Sequence, residues 1–216
     1  DVGQSQFETV NTDRLVIRIL DQARRVDRLL VAIAGPPASG KSTLAELLAE
    51  DLNTGAGDNI ACVVPMDGFH FDNSILEPGG LLHRKGAPET FDAQGFVDLV
   101  LRLKSNQSSV KYPLFDRKGD RVLLDAGLVQ RQTRIVLLEG NYLLADLPVW
   151  KQLHGLFDLT VFLDVPLALV RQRLMNRWLN AGMDEIVATS RVTGNDLPNA
   201  ELVLQTAFKS DVVMHS

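Results

Sequence analysis

The sequence predicts a three-layer α/β fold, in which a central parallel sheet of about five strands has helices on both faces. Short apolar runs recur along the chain, and helical patterns follow several of them. Within each run the apolar residues are continuous rather than alternating, which is typical of strands covered on both faces. The runs are "LLVAIAG", "IACVVP", "RIVLLEG", "LTVFLDV" and "DVVM". Ligands of such sheets bind at the carboxyl ends of the strands.

The remaining elements can be placed in order around these strands. The segment 13–30, "DRLVIRILDQARRVDRLL", predicts a leading helix that ends just before the first strand. "KSTLAELLAEDL" and "PLALVRQRLMNRWLN" predict helices after the first and fourth runs. Residues 67–130 interrupt the rhythm with loops around one helical segment, "AQGFVDLVLRLK". Long loops in a compact domain are usually functional, so we expect this insertion to hold part of a site.

Composition limits the class of protein. With 216 residues, 45% of them hydrophobic, the chain predicts one globular domain over residues 1–216. No apolar run reaches the roughly 20 residues that span a bilayer, and "DVGQSQFETV" lacks the regions of a signal peptide. We therefore expect a cytoplasmic protein without membrane insertion. A net charge of −5 argues against nucleic-acid binding and favours a small-molecule partner, and a homodimer stays open.

The strongest signal is a phosphate-binding motif. "GPPASGKS", Gly35 to Ser42, fits G-x-x-x-x-G-K-[ST] and stands between a predicted strand and a predicted helix, which indicates a P-loop NTPase fold. Glycines let the backbone approach phosphates, the helix N-terminus supplies N–H groups, and a lysine supplies a cation. Because prolines have no N–H, the donors must come from about Ala38 to Thr43. The residues expected to bind the nucleotide phosphates are Gly35, Ala38, Ser39, Gly40, Lys41, Ser42 and Thr43.

Two carboxylates follow predicted strands and are expected near this motif. Glu139 ends "RIVLLE", where it could hold Mg²⁺ directly or through water, together with the Ser42 hydroxyl. Asp67 ends the strand after the P-loop helix. Phosphoryl transfer to an alcohol needs a carboxylate that accepts the hydroxyl proton, although an Asp-Gly pair is also common in turns. We predict Asp67 as that base, with Lys41 acting on the phosphates.

The order of motifs resembles one group of P-loop kinases, which contains pantothenate kinase, uridine kinase and phosphoribulokinase. The guanine motif of GTPases and the LSGGQ signature of transporter ATPases do not occur in the sequence. The resemblance runs from about Leu30 to Phe208, and the form "HRKGAPETFD" looks closer still to bacterial fructose-transport-system kinases and their relatives. It is carried by "GPPASGKST", "MDGFH", "RKGAPETFD", "YPLFDRKGD", "VLLEGNYLL" and "GNDLPNAELV".

The resemblance implies an acceptor site in the insertion. In the resembling kinases, an aspartate after the second strand accepts the proton of the acceptor hydroxyl, and Asp67 is the matching residue. The R-K-G loop borders the acceptor, so one of its two cations is expected to touch the substrate or the phosphoryl group. The aromatic residue of "PLFD" is expected to wall the site, but the downstream histidine of uridine kinases is absent. The acceptor residues implied are His70, Arg84, Lys85, Phe115 and Asp116.

The resemblance also implies a helical lid over about residues 171–192. Arg173 and Arg177 fall on one side of the helix "PLALVRQRLMNRWLN", where they could bring positive charge over the phosphates and exclude water. We predict that Arg173 stabilises the negative charge that develops during phosphoryl transfer. In "GNDLPNAELV", Asn199 resembles a residue that packs near adenine in pantothenate kinases.

Together these features predict a kinase that uses ATP and Mg²⁺ to phosphorylate a hydroxyl group of a small metabolite, foremost a sugar or polyol of the fructose type. A pantothenate or nucleoside kinase is the nearer alternative. An ATP-binding regulatory protein associated with a transporter is the alternative from another class, although a pure sensor has no need of a proton acceptor.

Overall fold

The computed structural model describes residues 9–105 and 108–215. Most of the N-terminal stretch used for the signal-peptide prediction therefore lies outside the described residues. The strands are β1 (Leu29–Ala34), β2 (Ala61–Pro65), β3 (Val110–Asp116), β4 (Arg121–Val129), β5 (Ile135–Glu139), β6 (Leu159–Asp164) and β7 (Val212–His215). The helices are α1 (Thr9–Ala23), α2 (Lys41–Ala56), α3 (Asn73–Leu76), α4 (Ala93–Ser105), α5 (Leu167–Asn180), α6 (Glu185–Arg191) and α7 (Leu197–Thr206).

Five of the strands form the central parallel sheet, in the order β2-β5-β1-β6-β7. These are the five apolar runs of the sequence, so the predicted parallel sheet with surrounding helices is confirmed. Glu139 pairs with Ile33 on one side and with Pro65 on the other, so the carboxyl ends of three adjacent strands are level. Within the described part of the chain, no helix is long and apolar enough to cross a membrane. The cytoplasmic location stays a prediction.

Two hydrophobic cores explain why the strands are continuously apolar. Successive residues of β1 alternate between the faces of the sheet, so that Ala32 belongs to one core and Val31 to the other. One core contains buried residues of α1 and α2, such as Ile19 and Leu44. The opposite core is aromatic and packs against α4; its larger members include Phe91, Phe96, Tyr142 and Trp150. Both faces are covered, which leaves the edge at the strand ends for a site.

The leading helix differs from its prediction. It spans Thr9–Ala23 instead of residues 13–30. Leu29 and Leu30, the last residues of that predicted segment, are buried in β1. Arg28 turns the chain into the sheet, because its guanidinium donates to the carbonyls of Thr133 at 2.9 Å and Gln130 at 2.8 Å. At the end of the helix itself, Arg134 donates to the carbonyl of Ala23 at 2.6 Å, so a hydrogen bond between distant residues caps α1.

The second difference concerns the segment around "KYPLFDRKGDR", which was expected to be loop. It forms an antiparallel hairpin from β3 and β4. The pairing shifts register between Tyr112 and Leu114, beside Pro113, which cannot donate a ladder hydrogen bond. This irregularity hides the alternation that would have indicated strands. The hairpin is attached to the main sheet by Tyr112, whose buried ring carries a hydroxyl 3.2 Å from the carbonyl of Val63.

Gly68 shows how closely the hairpin approaches the sheet. Residues Met66–Phe69 form a short 3₁₀ turn after β2. A Cβ atom on Gly68 would lie 1.9 Å from the carbonyl oxygen of Pro113 in β3. Gly68 is therefore required by backbone packing, and not only as a turn residue beside Asp67. The hairpin can reach the carboxyl edge of the sheet because this position has no side chain.

We expect Gly68→Ala to lower the free energy of unfolding by about 2 kcal/mol, since the added methyl group forces two backbone segments apart. Gly55→Ala is the matched control, because Gly55 lies in α2 with nothing within 4 Å of its Cβ position. That control should gain about 0.5–1 kcal/mol from helix propensity. Urea unfolding of both variants checks the prediction, and equal stabilisation by the two substitutions would contradict it.

Candidate active site

The P-loop joins β1 to α2 and presents a helix N-terminus. Ala38 and Gly40 have φ values of 59° and 92°, so the loop makes two left-handed turns before the helix begins. The first helical hydrogen bond runs from the N–H of Leu44 to the carbonyl of Gly40, at 2.9 Å. The N–H groups of Lys41, Ser42 and Thr43 therefore have no partner within the helix. Such a terminus is suited to bind phosphate.

Two residues of the motif shape the loop from within. The N–H of Ser39 donates to the carbonyl of Pro36 at 3.2 Å, and the side chain of Ser39 is buried. A Cβ atom on Gly35 would stand 2.8 Å from Ser39 Oγ and 3.0 Å from the carbonyl of Leu163. Gly35 is thus needed for close packing. Because the N–H of Ser39 is already bonded within the loop, Ser39 drops out of the expected set of phosphate donors.

Lys41 and Glu139 are a buried pair of opposite charges at the base of the loop. Lys41 Nζ donates to the carbonyl of Pro36 at 3.2 Å. Burial lowers the pKa of Lys41, and the nearby charges of Glu139 and Asp67 act against that shift. Burial likewise raises the pKa of Glu139, which Lys41 opposes. The site therefore holds charged groups out of water without fully compensating them, as ligand-binding sites commonly do.

The oxygens beside Lys41 fit a magnesium ion. Ser42 Oγ donates to Glu139 Oε1 at 3.0 Å, so a hydroxyl and a carboxylate meet where the P-loop opens. In residues 9–105 and 108–215, no group of three or more His, Cys, Asp or Glu side chains could hold a metal ion alone. A hydroxyl and a carboxylate suit Mg²⁺, which is usually held by one or two protein ligands plus substrate phosphates and water.

A pocket of about 230 Å³ opens above these groups. Asp67 reaches it because it follows β2 by two residues, and β2 ends level with Glu139. Asp67 Oδ2 accepts from Arg117 Nη2 at 3.2 Å. The lining residues are Pro37, Ala38, Gly40, Lys41, Ser42, Thr43, Asp67, Arg117, Glu139, Asn141 and Arg177. Asp67 thus shares one pocket with the P-loop lysine and the start of α2.

The two arginines assigned to the lid both reach the P-loop. Arg173 Nη1 donates to the carbonyl of Ala38 at 3.2 Å. Arg177, one helical turn later in α5, lines the pocket itself. The structure therefore brings both side chains to the phosphate end of the fold. Arg173 contacts the loop backbone, and Arg177 is the member of the pair that faces the pocket.

His70 lies beside Asp67 in an aromatic stack. Its ring centroid is 4.0 Å from that of Phe91 and 4.9 Å from that of Phe115. Its Nδ1 is 2.8 Å from the carbonyl oxygen of Asp67. Because a carbonyl oxygen only accepts, Nδ1 carries the proton and Nε2 is left as an acceptor. Burial lowers the pKa of His70, which keeps the ring neutral near pH 7.

Both cations of the R-K-G loop already have carboxylate partners. Lys85 Nζ lies 2.6 Å from Asp120 Oδ1 and 2.7 Å from Asn73 Oδ1, with the ring of Phe115 4.9 Å away. The guanidinium of Arg84 contacts the carboxylate of Glu89 at 3.1 Å. Neither cation lines the phosphate pocket. Lys85 and His70 both lie against the ring of Phe115, whereas Arg84 pairs with Glu89.

Two predicted site residues lie apart from the phosphate pocket. Asp116 accepts the N–H of Lys118 at 3.1 Å, so its carboxylate organises the hairpin turn. Asn199 is buried, and its Nδ2 donates to Asn195 Oδ1 at 3.3 Å. Asn195 in turn donates to the carbonyl of Lys85 at 2.9 Å. Asn199 therefore supports the R-K-G loop through Asn195. Its expected place near adenine stays a prediction.

Sequence reasoning assigned no role to three residues that the fold brings into the site. Arg117 and Asn141 line the phosphate pocket, and Asp120 holds Lys85. Asn141 follows the L-E-G strand end directly, which is a usable sequence signal. Arg117 and Asp120 lie in a segment expected to be loop. Their positions depend on the β3–β4 hairpin, which that expectation missed.

A P-loop at the carboxyl edge of a parallel sheet, with a carboxylate and arginines around one pocket, defines a P-loop nucleotide-dependent phosphotransferase. Comparison with known proteins makes this class more specific. Residues 31–189 match the family described as AAA domain. The chain belongs to this family, and its relatives are P-loop kinases that include uridine kinase-like proteins and pantothenate kinases. The protein is a small-molecule kinase, and the family implies the use of ATP.

Three relatives illustrate the range of the group. A candidate uridine kinase of Schizosaccharomyces pombe is 34% identical, over 94% of this chain and 89% of its own. A pantothenate kinase of Cutibacterium acnes is 32% identical, over 69% of this chain and 48% of its own. The crystal structure of a candidate fructose transport system kinase from Silicibacter superposes with a TM-score of 0.87 at 45% identity, covering 94% of this chain and 98% of its own.

We expect Lys41→Met to weaken ATP binding at least about ten-fold, because charge-assisted hydrogen bonds to phosphate are worth roughly 1.5–3 kcal/mol. Methionine retains most of the buried volume and removes the charge. Titration calorimetry with Mg²⁺ and ATP measures the effect. Lys151→Met, at an exposed lysine outside the pocket, is the control and should bind ATP as the parent does. Equal affinities for all three proteins would contradict the role given to Lys41.

Proposed function

We propose that the protein transfers the γ-phosphoryl group of ATP to a hydroxyl group of an uncharged sugar or polyol. The observation that carries this proposal is the pairing of both R-K-G cations. Lys85 contacts Asp120, and Arg84 contacts Glu89. A carboxylate or phosphate on the acceptor would have to displace Asp120 from Lys85, whose side chain is only 11% exposed and also donates to Asn73. The acceptor side of the site therefore favours a neutral molecule.

The groups around Lys85 suit a molecule with several hydroxyls. His70 Nε2 is left as an acceptor, Asn73 offers both a donor and an acceptor, and Asp120 is an acceptor. The ring of Phe115 supplies a flat apolar surface of the kind on which the C–H groups of a sugar can pack. The name of the Silicibacter relative, a candidate fructose transport system kinase, points to the same class of acceptor.

The residues of the pocket have separate roles in phosphoryl transfer. Asp67 accepts the proton as the acceptor oxygen bonds to the γ-phosphorus, while the bond from that phosphorus to the β–γ bridging oxygen breaks and ADP leaves. Lys41 and the N–H groups at the start of α2 bind the phosphates. Arg177, together with Arg173, offsets the negative charge of the transferring group. Mg²⁺, held by Ser42 and Glu139, would neutralise phosphate charge when bound.

The competing acceptors are nucleosides and pantothenate, since relatives carry those names. Pantothenate is a carboxylate, and the paired cations disfavour it. Nucleoside kinases of the uridine type have a histidine downstream of the "PLFD" aromatic, and this chain lacks it. Membership in a kinase family favours an enzyme over a regulatory subunit of a transporter.

The test is a measurement of ADP release with Mg²⁺ and ATP against a panel of acceptors. The panel contains fructose, other neutral sugars, polyols, uridine, pantothenate and ribulose 5-phosphate. We expect turnover with one or more neutral sugars or polyols, and none above background with pantothenate or the sugar phosphate. Turnover confined to an anionic acceptor, or to a nucleoside, would overturn the proposed acceptor class. ATP binding without any acceptor-dependent turnover would overturn the enzyme assignment.

Asp67→Asn should reduce acceptor phosphorylation at least about 100-fold, because the amide cannot take the proton. ATP affinity should not fall, since the substitution removes a negative charge from the pocket. Asp51→Asn makes the same change at an exposed position on α2 and should behave as the parent. Steady-state rates and ATP titrations separate the two effects. Full turnover in Asp67→Asn would show that Asp67 is a structural residue.

A further inference from the structure

Arg117 connects the acceptor side of the site to the phosphate pocket. It directly follows β3, at the tip of the β3–β4 hairpin, and is 50 residues away from Asp67 in the sequence. Its Nη2 donates to Asp67 Oδ2 at 3.2 Å. It also lines the same 230 Å³ pocket as Lys41 and Arg177. One guanidinium therefore contacts the proposed base and faces the place where phosphates bind.

The charge of Arg117 acts on the buried pair at the base of the pocket. Burial is the main cause that lowers the pKa of Lys41, and the charge of Arg117 adds to that shift. Burial raises the pKa of Glu139, and the charge of Arg117 opposes that rise. These effects need no direct contact. They place the guanidinium within electrostatic reach of the P-loop lysine and of the carboxylate that ends β5.

The contact between Arg117 and Asp67 is easily exchanged. Their side chains are 68% and 38% exposed, so water screens the pair and it contributes little to stability. A phosphate group carries more charge than a carboxylate and can accept two parallel hydrogen bonds from a guanidinium. A γ-phosphate in the pocket would therefore compete well with Asp67 for Arg117.

We propose that Arg117 is a γ-phosphate sensor: it pairs with Asp67 when ATP is absent and moves to the γ-phosphoryl oxygens when ATP binds. The move releases Asp67 to accept the proton of the acceptor hydroxyl, and in that respect it rests on the proposed function. It also adds a cation to the group that is transferred.

The hairpin tip is held firmly enough to position this arginine. Asp116 and Arg121, which flank the tip, contact each other at 3.4 Å. Asp120, three residues after Arg117, contacts Lys85 at 2.6 Å and Asn73 at 2.7 Å. The same four-residue tip thus carries an anchor to the acceptor side and a cation for the phosphate side. An acceptor that binds near Lys85 would stabilise the conformation in which Arg117 reaches the pocket.

The test compares ATP with ADP, and it needs no acceptor. In titration calorimetry with Mg²⁺, we expect Arg117→Gln to weaken ATP binding at least about ten-fold and to change ADP binding less than about two-fold. Arg131→Gln is the matched control, since Arg131 is exposed just after β4 and lies outside the pocket, and it should bind both nucleotides as the parent does. A thermal melt checks that both variants are folded.

A second pair of variants tests the exchange itself. In an Asp67→Asn background there is no ion pair to break, so Arg117→Gln should reduce ATP affinity by a larger factor than it does in the parent. Equal losses for ATP and ADP, or no loss for ATP, would overturn the contact with the γ-phosphate. The same factor in both backgrounds would overturn the exchange. Either failure leaves the acceptor panel to decide the proposed function separately.

Discussion

Three adjacent strands that end level with one another are the constraint on which the rest of this structure depends. Glu139 pairs with Ile33 of β1 and with Pro65 of β2, so the ends of β1, β5 and β2 meet at one edge. The P-loop leaves β1 at that edge, and Asp67 leaves β2 there. A shift of one residue in either pairing would turn a side chain of the affected strand to the opposite face of the sheet. Level strand ends therefore place the phosphate cradle and the proposed base in the same pocket.

The buried charges of the pocket are better compensated when a ligand is bound than in the protein alone. Lys41 and Glu139 are both buried, and burial opposes the charged form of each. Their mutual attraction compensates only part of that cost. A nucleotide with its metal ion brings the charges that the pocket lacks. Stability given up in this way is common at functional sites, where the arrangement serves binding rather than folding.

The β3–β4 hairpin gives the otherwise regular fold its specific character. The hairpin can approach the sheet edge because Gly68 has no side chain, which leaves room for the carbonyl of Pro113. It then supplies Phe115 and Asp120 beside Lys85, where the acceptor is proposed to bind, and Arg117 to the phosphate pocket. One insertion therefore contributes residues both to the proposed acceptor site and to the phosphate pocket.

The sequence by itself determined the five strands of the sheet, the P-loop, and the positions of Asp67 and Glu139 at strand ends. These follow from local signals: continuous apolar runs, a fixed motif, and residues next to strand boundaries. Only the tertiary structure decided where α1 ends, that β3 and β4 pair, that Asn199 lies beneath the R-K-G loop, and that Arg117 meets Asp67. The hairpin is local, but the register shift beside Pro113 hides its alternation. The end of α1, the place of Asn199 and the contact of Arg117 rest on hydrogen bonds or ion pairs between residues far apart in the chain, such as Arg28 with Thr133. No local pattern encodes such a contact, because it exists only when the sheet brings both partners to one place.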